Sequence, residues 1–355
     1  MCVDVRKCVV RTALLAVMIL GSALSGQSSA CAAKRAKKDT NEKVIVAYVT
    51  SWSRVMPDAQ YMTHINYAFG HVTKSFDGVR IDNERRLRSI TALKKDNPHL
   101  KVMLSVGGWG SGNFSEMAAD KHLRRSFAKD CKRVMKEFNL DGIDIDWEYP
   151  TSDAAGISAS PEDTDNFTLL MKELRKALPA GKLLTMASVA TAEYVNFKEV
   201  VEYLDFVNIM TYDMASAPKH HSGMYRSEMS PGITCEEGIM THFEAGVPME
   251  KLVFGMPFYG RASGALEGFN DYKSLIQLPT DKFTAEWDDT AKAPYLVEVA
   301  SGNVVCTYDD PRSIAIKCDY IAEKGMKGAM YWDYDGDTED HTLARAVWDG
   351  VMNHQ

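Results

Sequence analysis

Residues Asp141–Pro150 read DGIDIDWEYP, and their alternation decides the fold. Asp144, Asp146 and Glu148 fall at every second position, with Ile143, Ile145 and Trp147 between them. In a strand, residues two apart share a face. Gly142 and the three acids therefore point one way, and the apolar residues point the other. Same-face neighbours are roughly 6.6 Å apart in such a strand. Carboxylates this close, taken out of water, cannot all ionise, so their pKa values must split and at least one group keeps a proton near neutral pH. Their titration belongs to the set. A calcium loop is excluded. Counted from Asp144, position 6 is Tyr149 and position 12 is Ala155, where an EF-hand needs Gly and Glu. A solvated acidic face is excluded as well, if the strand is parallel and covered on both sides.

The rest of the chain supplies that context. Seven further apolar runs of strand length recur: KVIVAYVT from Lys43, HINYAFGHV from His64, LKVMLSVGG from Leu100, LLTMASVA from Leu183, LDFVNIMTY from Leu204, LVFGMPFY from Leu252 and KGAMYWDY from Lys327. Helical periodicity separates most of them, over 84–95, 121–138, 163–178 and 313–324, and 340–352 follows the last. Eight βα units between residues 43 and 353 predict a (β/α)8 TIM barrel, an α/β fold with its active site at the C-terminal ends of the strands. An open doubly wound sheet is the alternative, but it gives no reason for polar residues on so many strands. The interval 262–307, between the seventh strand and the seventh helix, is too long for a loop. We read it as a small α+β insertion on the catalytic face.

Composition places the chain among ordinary globular proteins, with 45% hydrophobic and 25% charged residues. A formal net charge of −7 without a basic stripe argues against nucleic-acid binding. The N-terminus reads as a signal peptide over residues 1–33: Arg6, Lys7 and Arg11 precede the 13-residue apolar run TALLAVMILGSAL and small residues. SSAC loosely matches a lipoprotein box, so a lipid anchor at Cys31 is an alternative. A basic linker, 34–42, leads to the barrel. The expected location is exported: secreted, periplasmic or an outer-surface lipoprotein. Of seven cysteines, four lie in the mature chain without zinc-type spacing. They read as buried thiols, with Cys306 and Cys318 the one local pair able to bridge. GGWGSG, from Gly107, fails as a phosphate loop because Asn113 stands where the last Gly belongs.

DGIDIDWEYP resembles the D-x-x-D-x-D-x-E signature of glycoside hydrolase family 18, the chitinase family. SVGGW (105–109), MTYD (210–213), GMPFYGR (255–261) and GAMYWDYDGD (328–337) resemble that family's third-, sixth-, seventh- and eighth-strand segments, in order, so the likeness spans essentially the whole mature chain. The resemblance implies a secreted chitinase-like glycosidase acting on β-1,4-linked N-acetylglucosamine through substrate-assisted, retaining hydrolysis. It implies that Glu148 is the general acid and that Asp146 holds the sugar's acetamido group. Asp144 would share a proton with Asp146, and Tyr212 would bind the acetamido oxygen. Trp332 matches the substrate floor and Trp109 a product-side aromatic. Met210 belongs to the same sixth-strand motif, and Tyr149, Asp213, Tyr259 and Arg261 match residues that contact sugar or tune Glu148. Tyr48 and Phe69 match aromatics near the acetamido pocket, with packing as the alternative. Ser105, Gly107 and Gly108 read as support for Asp144 and the strand end. The short insertion implies an open groove. No metal or cofactor is implied, and a monomer is expected. Two other readings stand beside this one: an endo-β-N-acetylglucosaminidase acting on N-glycans or peptidoglycan, and a non-catalytic chitin-binding lectin. The retained acids and Tyr212 weigh against the lectin.

Overall fold

The structure, a computed structural model, describes residues 42–353. The expected signal peptide, Cys31 and the expected linker as far as residue 41 lie outside them. Fourteen strands and nine α-helices follow in chain order among the described residues. The first unit contains β1 (Val44–Thr50), β2 (His64–Val72), β3 (Val79–Ile81) and α1 (Glu84–Ala92). Next come β4 (Lys101–Gly107), α2 (Phe114–Ala119), α3 (Lys121–Glu137), β5 (Gly142–Asp146) and α4 (Asp163–Ala177). Then come β6 (Leu183–Val189), α5 (Phe197–Val200), β7 (Phe206–Met210), α6 (Cys235–Glu244) and β8 (Leu252–Pro257). The insertion holds β9 (Tyr259–Ala262), β10 (Gly268–Asp271), α7 (Tyr272–Leu275), β11 (Phe283–Asp288), β12 (Ala293–Glu298) and β13 (Val304–Thr307). The chain closes with α8 (Pro311–Lys324), β14 (Gly328–Trp332) and α9 (Thr342–Met352).

Strands β1, β2, β4, β5, β6, β7, β8 and β14 are parallel, and the β1–β2 pairing closes them into a barrel. This is the (β/α)8 fold that the eight apolar runs predict. β3 extends β2 as an antiparallel hairpin. Local signals set several helix ends. Asp310 caps α8 with Pro311 in its first turn, and Gly325 ends it at φ 66°. The insertion is a five-stranded antiparallel sheet in the order β10-β9-β13-β12-β11, and it starts at Tyr259 rather than at residue 262.

The strands divide two apolar groups. Ile45, Ile65, Leu104, Ile143 and Ile145 face the helices, while Val44, Val46, Met103, Leu183, Phe206, Val253 and Met330 fill the barrel. At the bottom, ammonium groups cap loop carbonyls that the strands leave unpaired. Lys94 donates to Asn139 O at 2.6 Å, Lys251 to Val201 O and Leu204 O at 2.7 Å, and Lys327 to Glu42 O at 2.6 Å. Asp141, the first acid of the opening motif, belongs to this end: its Oδ2 accepts from Lys94 Nζ at 2.7 Å and from Val102 N–H at 2.9 Å. All four cysteines described are buried free thiols, so Cys306 and Cys318 form no bridge. Among the described residues no helix is long and apolar enough to cross a membrane.

One histidine makes the packing of α6 sensitive to acid. His242 is fully buried. Its Nδ1 contacts Gly238 O at 2.7 Å and its Nε2 contacts Ser188 Oγ at 2.8 Å, an arrangement that suits a neutral ring with its proton on Nδ1. Burial lowers its pKa to about 4. The unfolded chain, with histidine near 6.5, then binds the extra proton first. Stability from this site is complete above about pH 6.5 and is lost as pH falls toward 4, by about 3 kcal/mol in all. Urea unfolding of wild type and His242→Gln at pH 7.5 and 4.5 should show a smaller acid loss in the variant. An equal loss would remove His242 from the account.

Candidate active site

The acidic strand sits where its alternation places it. Asp144 and Asp146 lie on the inner face of β5, and Ile143, Ile145 and Trp147 lie outside, with Trp147 stacked on Phe114 at 5.2 Å. Gly142 opens the inner face because a Cβ there would come within 2.5 Å of Leu183 O. Gly107 ends β4 at φ 133°, where a Cβ would lie 1.9 Å from Asp146 O.

Asp144 is fully buried. Its Oδ2 accepts from Tyr48 OH at 2.9 Å and Ser105 Oγ at 2.8 Å; its Oδ1 accepts from Thr185 Oγ1 at 2.6 Å and Asn208 Nδ2 at 3.2 Å. Burial raises its pKa and these four donors oppose the rise. Asp146, one step up, is nearly as buried, and its Oδ1 has no hydrogen-bond partner among the described residues. Burial, then Glu148 and Asp144, push its pKa well above the carboxylate range. Glu148 stands at the mouth, partly exposed. Burial raises its pKa to about 7; the Tyr149 hydroxyl opposes this and the Asp213 charge adds to it. The three acids thus run from a carboxylate with four donors to one at the rim poised near neutrality.

The other expected residues gather around them. Tyr212 is buried, with its ring 6.1 Å from Tyr259 and its hydroxyl directed at Met330 Sδ at 3.7 Å. Asp213 holds a left-handed backbone at φ 59° and accepts from Tyr259 OH at 2.7 Å and Arg261 Nε at 2.6 Å. Burial would raise its pKa, but Arg261, His221 and Tyr259 hold it below the usual range. Met210 ends β7 and packs against the inner apolar group. Phe69 and Trp332 stack at 5.6 Å, and Tyr48 lies 5.7 Å from Trp332. Trp109 is 63% exposed at the rim, 6.2 Å from the Tyr149 ring. The structure therefore brings the expected residues together at the C-terminal end of the barrel. The Tyr48 hydroxyl is committed to Asp144, the lowest of the three acids.

Sequence reasoning misses four features here. Trp52 is 63% exposed and lies 6.4 Å from Trp332 and 6.3 Å from Phe69, extending the floor. Its signal is a tryptophan just past the end of the first strand run. Tyr194 stacks on Tyr149 at 5.2 Å and holds φ 70°. Asn208 and Thr185 occupy inward positions of β7 and β6, which alternation could have picked out. Among the described residues no group of three or more His, Cys, Asp or Glu could hold a metal ion.

The chain's relatives agree with this geometry. The sequence profile of glycosyl hydrolases family 18 matches residues 44–337. The chain belongs to that family. It is 36% identical over 298 residues to Chitinase A1 of Niallia circulans, covering 71% of this chain and 42% of that longer protein. It is 32% identical to Probable chitinase 2 of Drosophila melanogaster, covering 90% and 77%. A family 18 N-acetylglucosaminidase from Paenibacillus barengoltzii superposes with a TM-score of 0.79 at 36% identity, covering 87% of this chain and all of that one. The Group IV chitinase of Ostrinia furnacalis, solved with allosamidin, gives 0.80 at 26% identity over 88% of this chain and all of that one. This family 18 protein is a chitinase-like glycoside hydrolase.

The loop after Glu148 has its own anchor. Asp163 is fully buried at the start of α4. It accepts from Ser115 Oγ and Ser160 N–H at 2.8 Å and from Thr151 N–H at 3.3 Å. Asp163→Ala leaves these donors without a partner and should cost about 2–4 kcal/mol. A lower urea midpoint, with faster amide exchange at Thr151 and Ser160 than in α3, checks this. Unchanged exchange at those amides would contradict it.

Proposed function

We propose that this family 18 hydrolase cleaves β-1,4-linked N-acetylglucosamine polymers or oligomers by substrate-assisted, retaining hydrolysis. The observation that carries the reading is the graded acid ladder. A partly exposed Glu148 with its pKa raised to about 7 sits next to a buried Asp146 whose Oδ1 has no hydrogen-bond partner among the described residues, with Tyr212 close by. A sugar with a neighbouring amide needs no protein nucleophile. It needs one acid at the leaving oxygen and one acceptor at the amide nitrogen.

Glu148 gives its proton to the glycosidic oxygen. The bond from that oxygen to the anomeric carbon breaks as the acetamido carbonyl oxygen bonds to the same carbon. Asp146 turns to the amide N–H and offsets the charge of the oxazolinium ring, and Tyr212 donates its hydroxyl to the acetamido oxygen. The leaving sugar departs as an alcohol. Water then loses a proton to the Glu148 carboxylate and attacks the anomeric carbon from the side the leaving group held, as the bond from that carbon to the acetamido oxygen breaks and restores the neutral amide, so configuration is retained. Trp332, Phe69 and Trp52 form one aromatic cluster, and Trp109 is an exposed ring beside Tyr149, which suits a chain of sugar rings.

A second reading is release of single N-acetylglucosamine units. It draws support from the N-acetylglucosaminidase of Paenibacillus barengoltzii, which this chain matches over that enzyme's whole length. Export is part of the proposal and rests on the N-terminal signal pattern.

Incubating N-acetylglucosamine hexamer with wild type and Glu148→Gln, followed by mass spectrometry, tests the proposal. Shorter oligomers should form with the wild type, and single sugars would favour the second reading. Glu148→Gln should lose about 10³-fold or more in kcat. Because the acid form of Glu148 is required, kcat/KM should fall as pH rises through about 7. An intact hexamer with wild type would overturn this substrate and move N-glycans and peptidoglycan forward.

A further inference from the structure

Strand β7 ends at Met210. The backbone of Thr211–Asp213 therefore leaves the sheet while still largely inside the protein, and its polar groups need partners from elsewhere. The tripeptide His220-His221-Ser222, almost entirely buried, supplies them. Ser222 Oγ donates to Thr211 O at 2.8 Å, and Cys235 Sγ reaches the same carbonyl at 3.3 Å. His221 Nδ1 accepts from Asp213 N–H at 3.4 Å, and His221 O accepts from Met214 N–H at 3.2 Å. The residues on either side of Tyr212 are thus held by this segment.

The segment is held in turn by a buried ion pair. Lys317, on α8, donates Nζ to Ser222 Oγ at 2.7 Å and to Asp309 Oδ2. Both side chains of the pair are 0% exposed. Asp309 Oδ1 also accepts from Ser313 Oγ at 2.8 Å. The insertion adds two further ties: His221 N–H donates to Thr307 Oγ1 at 3.2 Å, and His220 Nε2 meets Asp288 Oδ2 at 3.0 Å. Burying a charge pair costs so much desolvation that its net contribution to stability is often small. What such a pair does supply is direction, because the ammonium's donors must point at fixed acceptors.

We propose that the Lys317–Asp309 pair is a positioning element for the reaction: acting through Ser222, it fixes the Thr211 carbonyl and so the placement of Tyr212 and Asp213 beside Glu148. This rests on the hydrolytic reading above. Neither residue touches the reacting atoms; the pair works from the outer helix layer. The groups that act on Glu148 are Asp146, Tyr149, Tyr212 and Asp213, and those that act on Asp213 are Arg261, Tyr259 and His221. Around Lys317 are Asp309, Ser222, Cys235 and the Phe254 ring at 5.8 Å.

Ser222→Ala removes the single hydroxyl that joins the pair to the catalytic turn, and Ser222→Thr keeps it. A second variant, Lys317→Met with Asp309→Asn, removes both charges together. Two readouts apply to each: kcat, KM and the pH profile on N-acetylglucosamine hexamer, and the substrate-free titration of the Glu148 carboxyl by ¹³C NMR. Ser222→Ala should lower kcat by about tenfold or more, since small misplacements of a reacting group are costly, while KM stays within about twofold. As Asp213 moves away, the alkaline limb and the Glu148 midpoint should both shift to lower pH. Ser222→Thr should restore both, and the paired variant should follow Ser222→Ala. A folded Ser222→Ala with wild-type kcat and an unmoved Glu148 midpoint would overturn the proposal. If Ser222→Ala does not fold, the paired variant decides by the same two readouts. A wild type inert on the hexamer would count against the substrate reading instead, and the NMR titration would then decide this one.

Discussion

Asp144 is a carboxyl group at the centre of a barrel, fully buried from bulk solvent. A buried carboxylate is tolerated only when hydrogen bonds replace its hydration. Here the replacements come from four different strands: Tyr48 on β1, Ser105 on β4, Thr185 on β6 and Asn208 on β7. Each donor reaches the acid only if its strand is in register. Ser105 and Thr185 are the direct neighbours of Asp144 in the β4–β5 and β5–β6 pairings. A one-residue slip in either strand would turn its hydroxyl toward the helices. Closing the barrel and assembling the site are therefore one physical problem.

From that fixed point upward, partners thin out. Among the described residues Asp144 has four donors, Asp146 has an oxygen with none, and Glu148 opens toward solvent. The gradient suits the division of labour proposed for the acids. The lowest is locked, the middle one is free to turn because no donor holds that oxygen, and the highest can exchange protons with substrate and water. Asp213 acts from the opposite side. Pinned by Arg261 and Tyr259, it remains an anion and makes ionisation of Glu148 harder.

Alternation along one strand was enough to read the acids as inward-facing, and periodicity along the chain was enough to read eight βα units. Both patterns are local. The cage around Asp144 is not: Tyr48 comes from 96 residues away and Asn208 from 64. No local pattern distinguishes a tyrosine that lines a sugar pocket from one committed to a buried acid. Asp141 carries the same lesson. It belongs to the motif that decides the fold, yet it works at the opposite end of the strand, where Lys94 and the Val102 amide bind it. Asp163 and the His220-His221-Ser222 segment were invisible because part of what they bind is backbone, which every residue carries alike, and the side chains they meet, such as Ser115 and Lys317, lie 48 and 95 residues away. Trp52 was within reach, since a tryptophan just past a strand's C-terminal end in a barrel lies on the catalytic face.

The two polar networks grip neighbouring parts of the site from opposite directions. The cage inside the barrel holds β5 through Asp144, and its Asn208 ties in β7 below the catalytic turn. The outer network runs from Lys317 and Asp309 through Ser222 to Thr211, holding the same chain just after β7 ends. Tyr212 and Asp213 sit above the first anchor and directly beside the second. A strand end that carries catalytic groups cannot draw its order from sheet hydrogen bonds, because it has already left the sheet. It must be held by side chains, and buried side chains with the necessary direction are charged or hydroxylic. That requirement explains why an ammonium and a carboxylate occupy the apolar layer between barrel and helices, at a place where packing alone would favour neither.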